Sequence, residues 1–109
     1  GLEISLEALS RRGAQLRQVE LQRPRAVIGK NTVEALQSGL VFGFAALVDG
    51  MVERILGELV STSGPAHVVA TGHLAPLVVD ECRCFTEHIP LLTIHGLGLV
   101  FSKKTTITR

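Results

Sequence analysis

The chain contains no tryptophan and no tyrosine, and only four phenylalanines and one methionine among its 109 residues. Proteins that hold single-stranded nucleic acid stack the bases on aromatic side chains, and this sequence has few to offer. An excess of one charge is also missing: eleven Lys and Arg stand against ten Asp and Glu, for a formal net charge of +1. Neither nucleic acid nor an anionic membrane finds an electrostatic footprint. Arg11, Arg12, Arg17, Arg23 and Arg25 make the first quarter locally basic, which reads as a solvated face. Cysteine is limited to Cys82 and Cys84, one residue apart. A disulfide across one residue has poor geometry, and no second pair exists to complete a zinc site. Free thiols fit a reducing, cytoplasmic setting.

Several chemistries are excluded by missing motifs. There is no H-E-x-x-H, no G-x-x-x-x-G-K-[ST], no G-x-G-x-x-G and no G-x-S-x-G. The four histidines, His67, His73, His88 and His95, form no i, i+4 pair on a helix and read as turn or surface residues. The charge-free stretch between Glu34 and Asp49 is 14 residues long. A bilayer span needs about 20, so the expectation is a buried core helix and no membrane span.

What is present is helical periodicity. Residues 3–16 carry Ile4, Leu6, Ala8, Leu9 and Leu16 at helical spacing, with acids early and arginines late, and read as an amphipathic helix rather than a leader. The chain opens without an initiator Met, which fits a piece of a longer protein. Residues 19–29 look extended, because Pro24 forces Arg23 away from the α region. "GKNT" then signals a helix start, with Gly29 for the turn, Asn31 or Thr32 as N-cap and Glu34 in the first turn.

The helix predicted over 32–60 has two apolar stripes. One runs through Val33, Leu36, Leu40, Phe44, Leu47, Met51, Ile55 and Leu59, the other through Val41, Ala45, Val48, Val52 and Leu56. Gly39, Gly43, Gly50 and Gly57 lie within it and suggest close approach of another backbone or a break near Ser38-Gly39. Asp49 and Glu53 share a face and read as a solvated edge. A strand over 67–70, a Thr71-Gly72 turn and a short helix over 74–79 follow. "ECRCFTEHI" reads as a strand or extended segment, and Thr93 as the cap of a last helix reaching Lys104, with "TTITR" a polar, β-prone tail. So few strands cannot cover a helix that is apolar on two sides. The missing cover is a second chain or a further part of this one.

Taken together, "SLEALSRRGAQL", "VELQRPRAVIGKNTVEALQSGLVFGFAALVDGMVERILGEL", "VVATGHLAPLV" and "LLTIHGLGLVF" resemble the C-terminal part of type III pantothenate kinases, a family that includes the Bvg accessory factors. The resemblance implies that residues 1–109 form the C-terminal segment of an α/β, ribonuclease H-like fold of the acetate and sugar kinase/Hsc70/actin (ASKHA) type, with few strands and a long central helix. It also implies ATP, Mg²⁺ and a monovalent cation (K⁺ or NH₄⁺) as cofactors, pantothenate as substrate, a cytoplasmic homodimer, and transfer of the γ-phosphoryl group in coenzyme A synthesis. The family's general-base aspartate and N-terminal phosphate motif lie upstream of this segment, so no catalytic residue is assigned and no activity is expected of the segment alone.

By the same resemblance, Thr71 and Gly72 fall on the family's Thr-Gly-Gly turn beside ATP, and Asn31 and Thr32 on a helix start facing the cleft. His73 stands where the family has its second glycine. Gly13 stands where the family has a threonine that reaches pantothenate across the dimer interface, and His95 replaces a glutamate. A left-handed backbone at His73 would cost roughly 1–2 kcal/mol. These replacements leave a second reading beside the kinase, a non-catalytic relative that keeps the dimerising helices as a regulatory or dimerisation protein.

Overall fold

The computed structural model describes residues 1–12 and 19–107 of the chain. The elements are α1 (Leu2–Arg12), α2 (Thr32–Val60), β1 (Val69–Ala70), α3 (Ala75–Val79), β2 (Glu87–His88) and α4 (Leu92–Ile107). In α1, Glu3 sits in the first turn and Arg11 and Arg12 in the last, each favourable to the helix dipole. The expected extension of α1 to Leu16, and Gly13 itself, lie outside the described residues.

α2 begins where the sequence places its start. Asn31 is the N-cap, with extended backbone (φ −150°, ψ 173°), and its side chain accepts the Glu34 amide at 2.9 Å. Glu34 answers by accepting the Lys30 amide at 2.8 Å and the Arg25 guanidinium at 2.8 Å. Gly29 is required by contact: a Cβ there would lie 2.5 Å from the Ala35 nitrogen. The segment before it runs along the helix, fixed by two buried polar side chains. Gln37 donates to the Glu20 carbonyl at 2.9 Å, and the Ser38 hydroxyl donates to the Val27 carbonyl.

The core is small: Leu2, Val19, Leu40, Val41, Ala45 and Ala70, with Val41 fully enclosed. All the α2 members fall between residues 37 and 45. Beyond that point the helix is only half covered, and Leu47, Met51 and Ile55 are 57%, 52% and 50% exposed. The four glycines inside α2 do not break it, and none has a neighbour within 4 Å of where its Cβ would stand. The close backbone approach expected there is therefore not made by any described part of this chain.

α2 is 29 residues long, and by length and composition it could cross a membrane, contrary to the count over 35–48; 28% of its most apolar window is buried. Gln37, Ser38 and Asp49 of the helix are nevertheless bonded to other parts of the chain, and α1 and α3 pack on it.

β1 and β2 form a parallel two-stranded sheet with Val69 opposite Glu87 and Ala70 opposite His88. α3 lies in the crossover between them, as a parallel pair demands. The strand expected over "ECRCFTEHI" is confined to Glu87–His88, and the cysteines lie in the loop ahead of it. At the C-terminus two further expectations fail. Thr93 is inside α4 rather than its cap, and the β-prone tail continues the helix to Ile107. No described strand pairs with residues 105–107, whereas helix propagation adds one hydrogen bond per residue, and Thr105 bonds back to the Phe101 carbonyl at 2.9 Å.

α4 lies largely uncovered: Ile94, Leu97, Leu99, Val100 and Phe101 are 61–72% exposed. The radius of gyration, 18.5 Å, exceeds the value of about 13 Å typical of a compact domain of this length.

Candidate nucleotide-facing turn

β1 ends at the buried Ala70, and the chain turns through Thr71, Gly72 and His73, all exposed. Gly72 has φ 106°, a conformation that an L-residue adopts only under strain. The space where its Cβ would stand is open. The Ala75 amide then donates to the Gly72 carbonyl at 3.2 Å, closing a turn whose third residue, Leu74, has φ −90° and ψ −8°. Those angles are the type I pattern, which puts His73 at a position open to most residues. The left-handed demand thus falls on Gly72, and the strain considered for His73 does not arise from this turn.

Thr71 borders a cavity of about 430 Å³ that is mostly apolar, with Phe44 and Val48 of α2, Val78 of α3 and Leu2 of α1 in its walls. Open space above a glycine, beside an apolar recess, suits a planar organic group carrying polar substituents.

Asn31 and Thr32 are exposed at the start of α2 and do not line this cavity. Phe44 is twelve residues beyond Thr32, about 18 Å along the axis at 1.5 Å per residue. The structure therefore keeps the two halves of the sequence-derived site apart. The N-terminus of α2 also already holds an anion, the Glu34 carboxylate. The Arg25 guanidinium, then the Lys30 amide, holds its pKa below the usual carboxylate range.

A larger groove of about 620 Å³ runs along the other side of α2, with Arg23, Arg25, Arg83, Asp49 and Glu81 in its walls. Its three arginines are all paired: Arg23 with Glu81, Arg25 with Glu34, and Arg83 with Asp49 at 3.9 Å. Arg23 also lies over the Phe42 ring, 5.3 Å from its centre. This groove offers an incoming anion no uncompensated charge.

Asp49 departs from the solvated-edge reading. Its side chain is 19% exposed and its two oxygens accept the Arg83 amide at 3.0 and 3.1 Å; one also takes the Cys84 amide at 3.1 Å. The Cys84 thiol and then the Arg83 amide hold the Asp49 pKa below its ordinary value. The partner is 34 positions away in sequence, and no local pattern marks it. Glu53 remains exposed, as expected.

The two thiols are free. Burial, and secondarily Asp49, pushes Cys84 up to about 11 and raises Cys82 in the same direction. At that value the Cys84 thiol stays protonated at neutral pH. Among the described residues no three His, Cys, Asp or Glu side chains gather as a metal site.

The chain is similar to known proteins over most of its length. A family profile described as type III pantothenate kinase matches residues 1–54. A curated type III pantothenate kinase from Nocardioides sp. is 65% identical over 103 residues, 94% of this chain and 40% of the relative. The type III pantothenate kinase of Saccharopolyspora erythraea is 61% identical over 94% of this chain and 39% of the relative. That of Streptomyces avermitilis is 56% identical over 99% of this chain and 41% of the relative. The chain thus spans about two fifths of the length of the curated relatives it matches. It belongs to the type III pantothenate kinase family.

Proposed function

We propose that this chain is the C-terminal portion of a pantothenate kinase, in which the Thr71-Gly72 turn faces ATP during transfer of the γ-phosphoryl group to pantothenate. The observation that carries this reading is Gly72, left-handed, open above, and adjacent to an apolar cavity of about 430 Å³ that could receive a flat base. Such transfer rests on positioning and charge neutralisation more than on covalent chemistry by the protein. This portion's contribution is accordingly to hold the nucleotide. The cations and the general base are assigned to the upstream portion of an ASKHA-type fold, and the segment alone is inactive. Asn31 and Thr32 have a separate role, starting α2 at a distance from the base.

The uncovered apolar surface supports two further parts of the proposal. Leu47, Met51 and Ile55, flanked by open glycines, suit close packing of a second copy, and the bare α4 suits burial by the upstream portion. The assembly is a cytoplasmic homodimer. Its test is ATP-dependent phosphorylation of pantothenate by the full-length gene product and by its His73→Gly and Gly13→Thr variants. Activity in the unaltered protein is the expected result. Activity only after both replacements would favour the non-catalytic relative, for which the missing hydroxyl at Gly13 is the specific argument.

A further inference from the structure

A series of hydrogen bonds, joined by short stretches of backbone, connects α2 to the Thr71-Gly72 turn. On α2, the Asp49 carboxylate takes the amides of Arg83 and Cys84 at 3.0–3.1 Å. One turn earlier on the same helix, the Ala45 carbonyl accepts the Cys82 thiol at 3.7 Å. Two residues beyond Cys84, Thr86 locks onto Val68: its amide donates to the Val68 carbonyl at 2.9 Å, and its hydroxyl accepts the Val68 amide at 2.8 Å. The Ile89 amide then donates to the Ala70 carbonyl at 2.9 Å. Ala70 is the residue directly before Thr71.

We propose that Asp49 is the positioning residue of the Thr71-Gly72 turn, holding it to the central helix through the 82–86 loop and the parallel strand pair. A two-residue strand pair is too short to hold itself in place. Besides α3 and the chain segment 61–68, this loop ties the strands to α2, and Asp49 accepts two of the loop's amides, that of Arg83 with both oxygens. A carboxylate accepting backbone amides forms stronger bonds than a neutral acceptor, which explains an aspartate in the middle of a helix, where its propensity is poor. The inference rests on the nucleotide-facing reading of the turn only for its effect on catalysis; the mechanical link stands apart from it.

The test uses the full-length gene product with Asp49→Asn, Asp49→Ala and, as a control one turn along, Glu53→Gln. Two readouts are needed: amide exchange, and the KM values for ATP and for pantothenate. In Asp49→Asn we expect exchange to rise about tenfold or more at Arg83 and Cys84 and also at Val68, Ala75 and Ile89, while residues 37–45 keep their protection. KM for ATP should rise about tenfold with KM for pantothenate unchanged, and Glu53→Gln should match the unaltered protein. Faster exchange confined to Arg83 and Cys84, or no change in either readout, would overturn the proposal. Should the unaltered protein lack kinase activity, the nucleotide reading fails, and the spread of exchange to Val68, Ala75 and Ile89 still decides the role of Asp49. If Asp49→Ala unfolds, residues 37–45 lose protection with the rest, and the milder Asn variant gives the answer.

Discussion

The first and second halves of α2 are equally apolar in sequence and differently placed in the structure. From Gln37 to Ala45 one face of the helix is buried, and the segment 19–31 is held to it by Gln37 and Ser38. From Leu47 onward the same stripes continue, yet Leu47, Met51 and Ile55 stand half or more exposed, and α4 repeats the pattern more strongly. Exposed apolar patches of that extent mark surfaces made to be covered. The difference separates what this chain completes by itself from what it leaves to other chain, and it places the self-sufficient part at the start of α2.

The largest effect expected from this contrast comes from truncating side chains on its two sides. Leu40→Ala, at a 5% exposed site, should cost about 2–5 kcal/mol in denaturant unfolding of the full-length gene product. In the 109-residue chain alone, Leu97→Ala, 62% exposed, should shift unfolding by less than about 0.5 kcal/mol. Equal losses would erase the distinction. Next in size is Gly29→Ala. Its Cβ would press on the Ala35 nitrogen at 2.5 Å, so the loop must move off the helix start, at about 1–3 kcal/mol by the same measurement.

Gly43→Ala sharpens the contrast through its sign. With nothing within 4 Å, an added methyl should stabilise the isolated helix by up to about 1 kcal/mol. In the proposed homodimer the same methyl should weaken association, read by light scattering across a dilution series. The smallest effect is a pH response. Asp49 and Glu34 are both held below their ordinary values by donated hydrogen bonds. A depressed folded pKa means that their contribution is fully present above the ordinary carboxylate value of about 4 and fades as the pH falls through the lower folded value. Amide exchange at Arg83 and Cys84, corrected for intrinsic rates, should therefore be flat from pH 7 to about 5 and rise only below about 4. A rise centred near neutrality would point to a different group.

The parts of this account legible in the sequence are the local ones. Gly29, Asn31 and Glu34 announce the start of α2 within six residues, because capping is a contact between near neighbours. The Thr71-Gly72 turn was legible for the same reason, down to its glycine. The loop at Cys82–Thr86 was not. Its alternation of apolar and polar residues matches a strand, and what makes it a loop is an aspartate 34 positions upstream. Asp49 was correspondingly misread as an edge charge, since burial of one carboxylate by a distant backbone leaves no periodic mark. The end of α4 was misread from β-propensity, which has no force where no strand is available to pair. The α2 glycines were read as packing sites, and the described chain leaves them open.

The most direct test of the central claim, that the bare half of α2 and the face of α4 are interior surfaces of the complete protein, is hydroxyl-radical labelling of Met51 and Phe101. In the 109-residue chain, diluted until light scattering shows a monomer, both side chains stand in solvent, 52% and 72% exposed, and both should be oxidised readily. In the full-length gene product the account predicts that labelling of both falls at least about fivefold, as expected for side chains at the buried centre of an interface. Equal labelling of Met51 and Phe101 in the two proteins would contradict it.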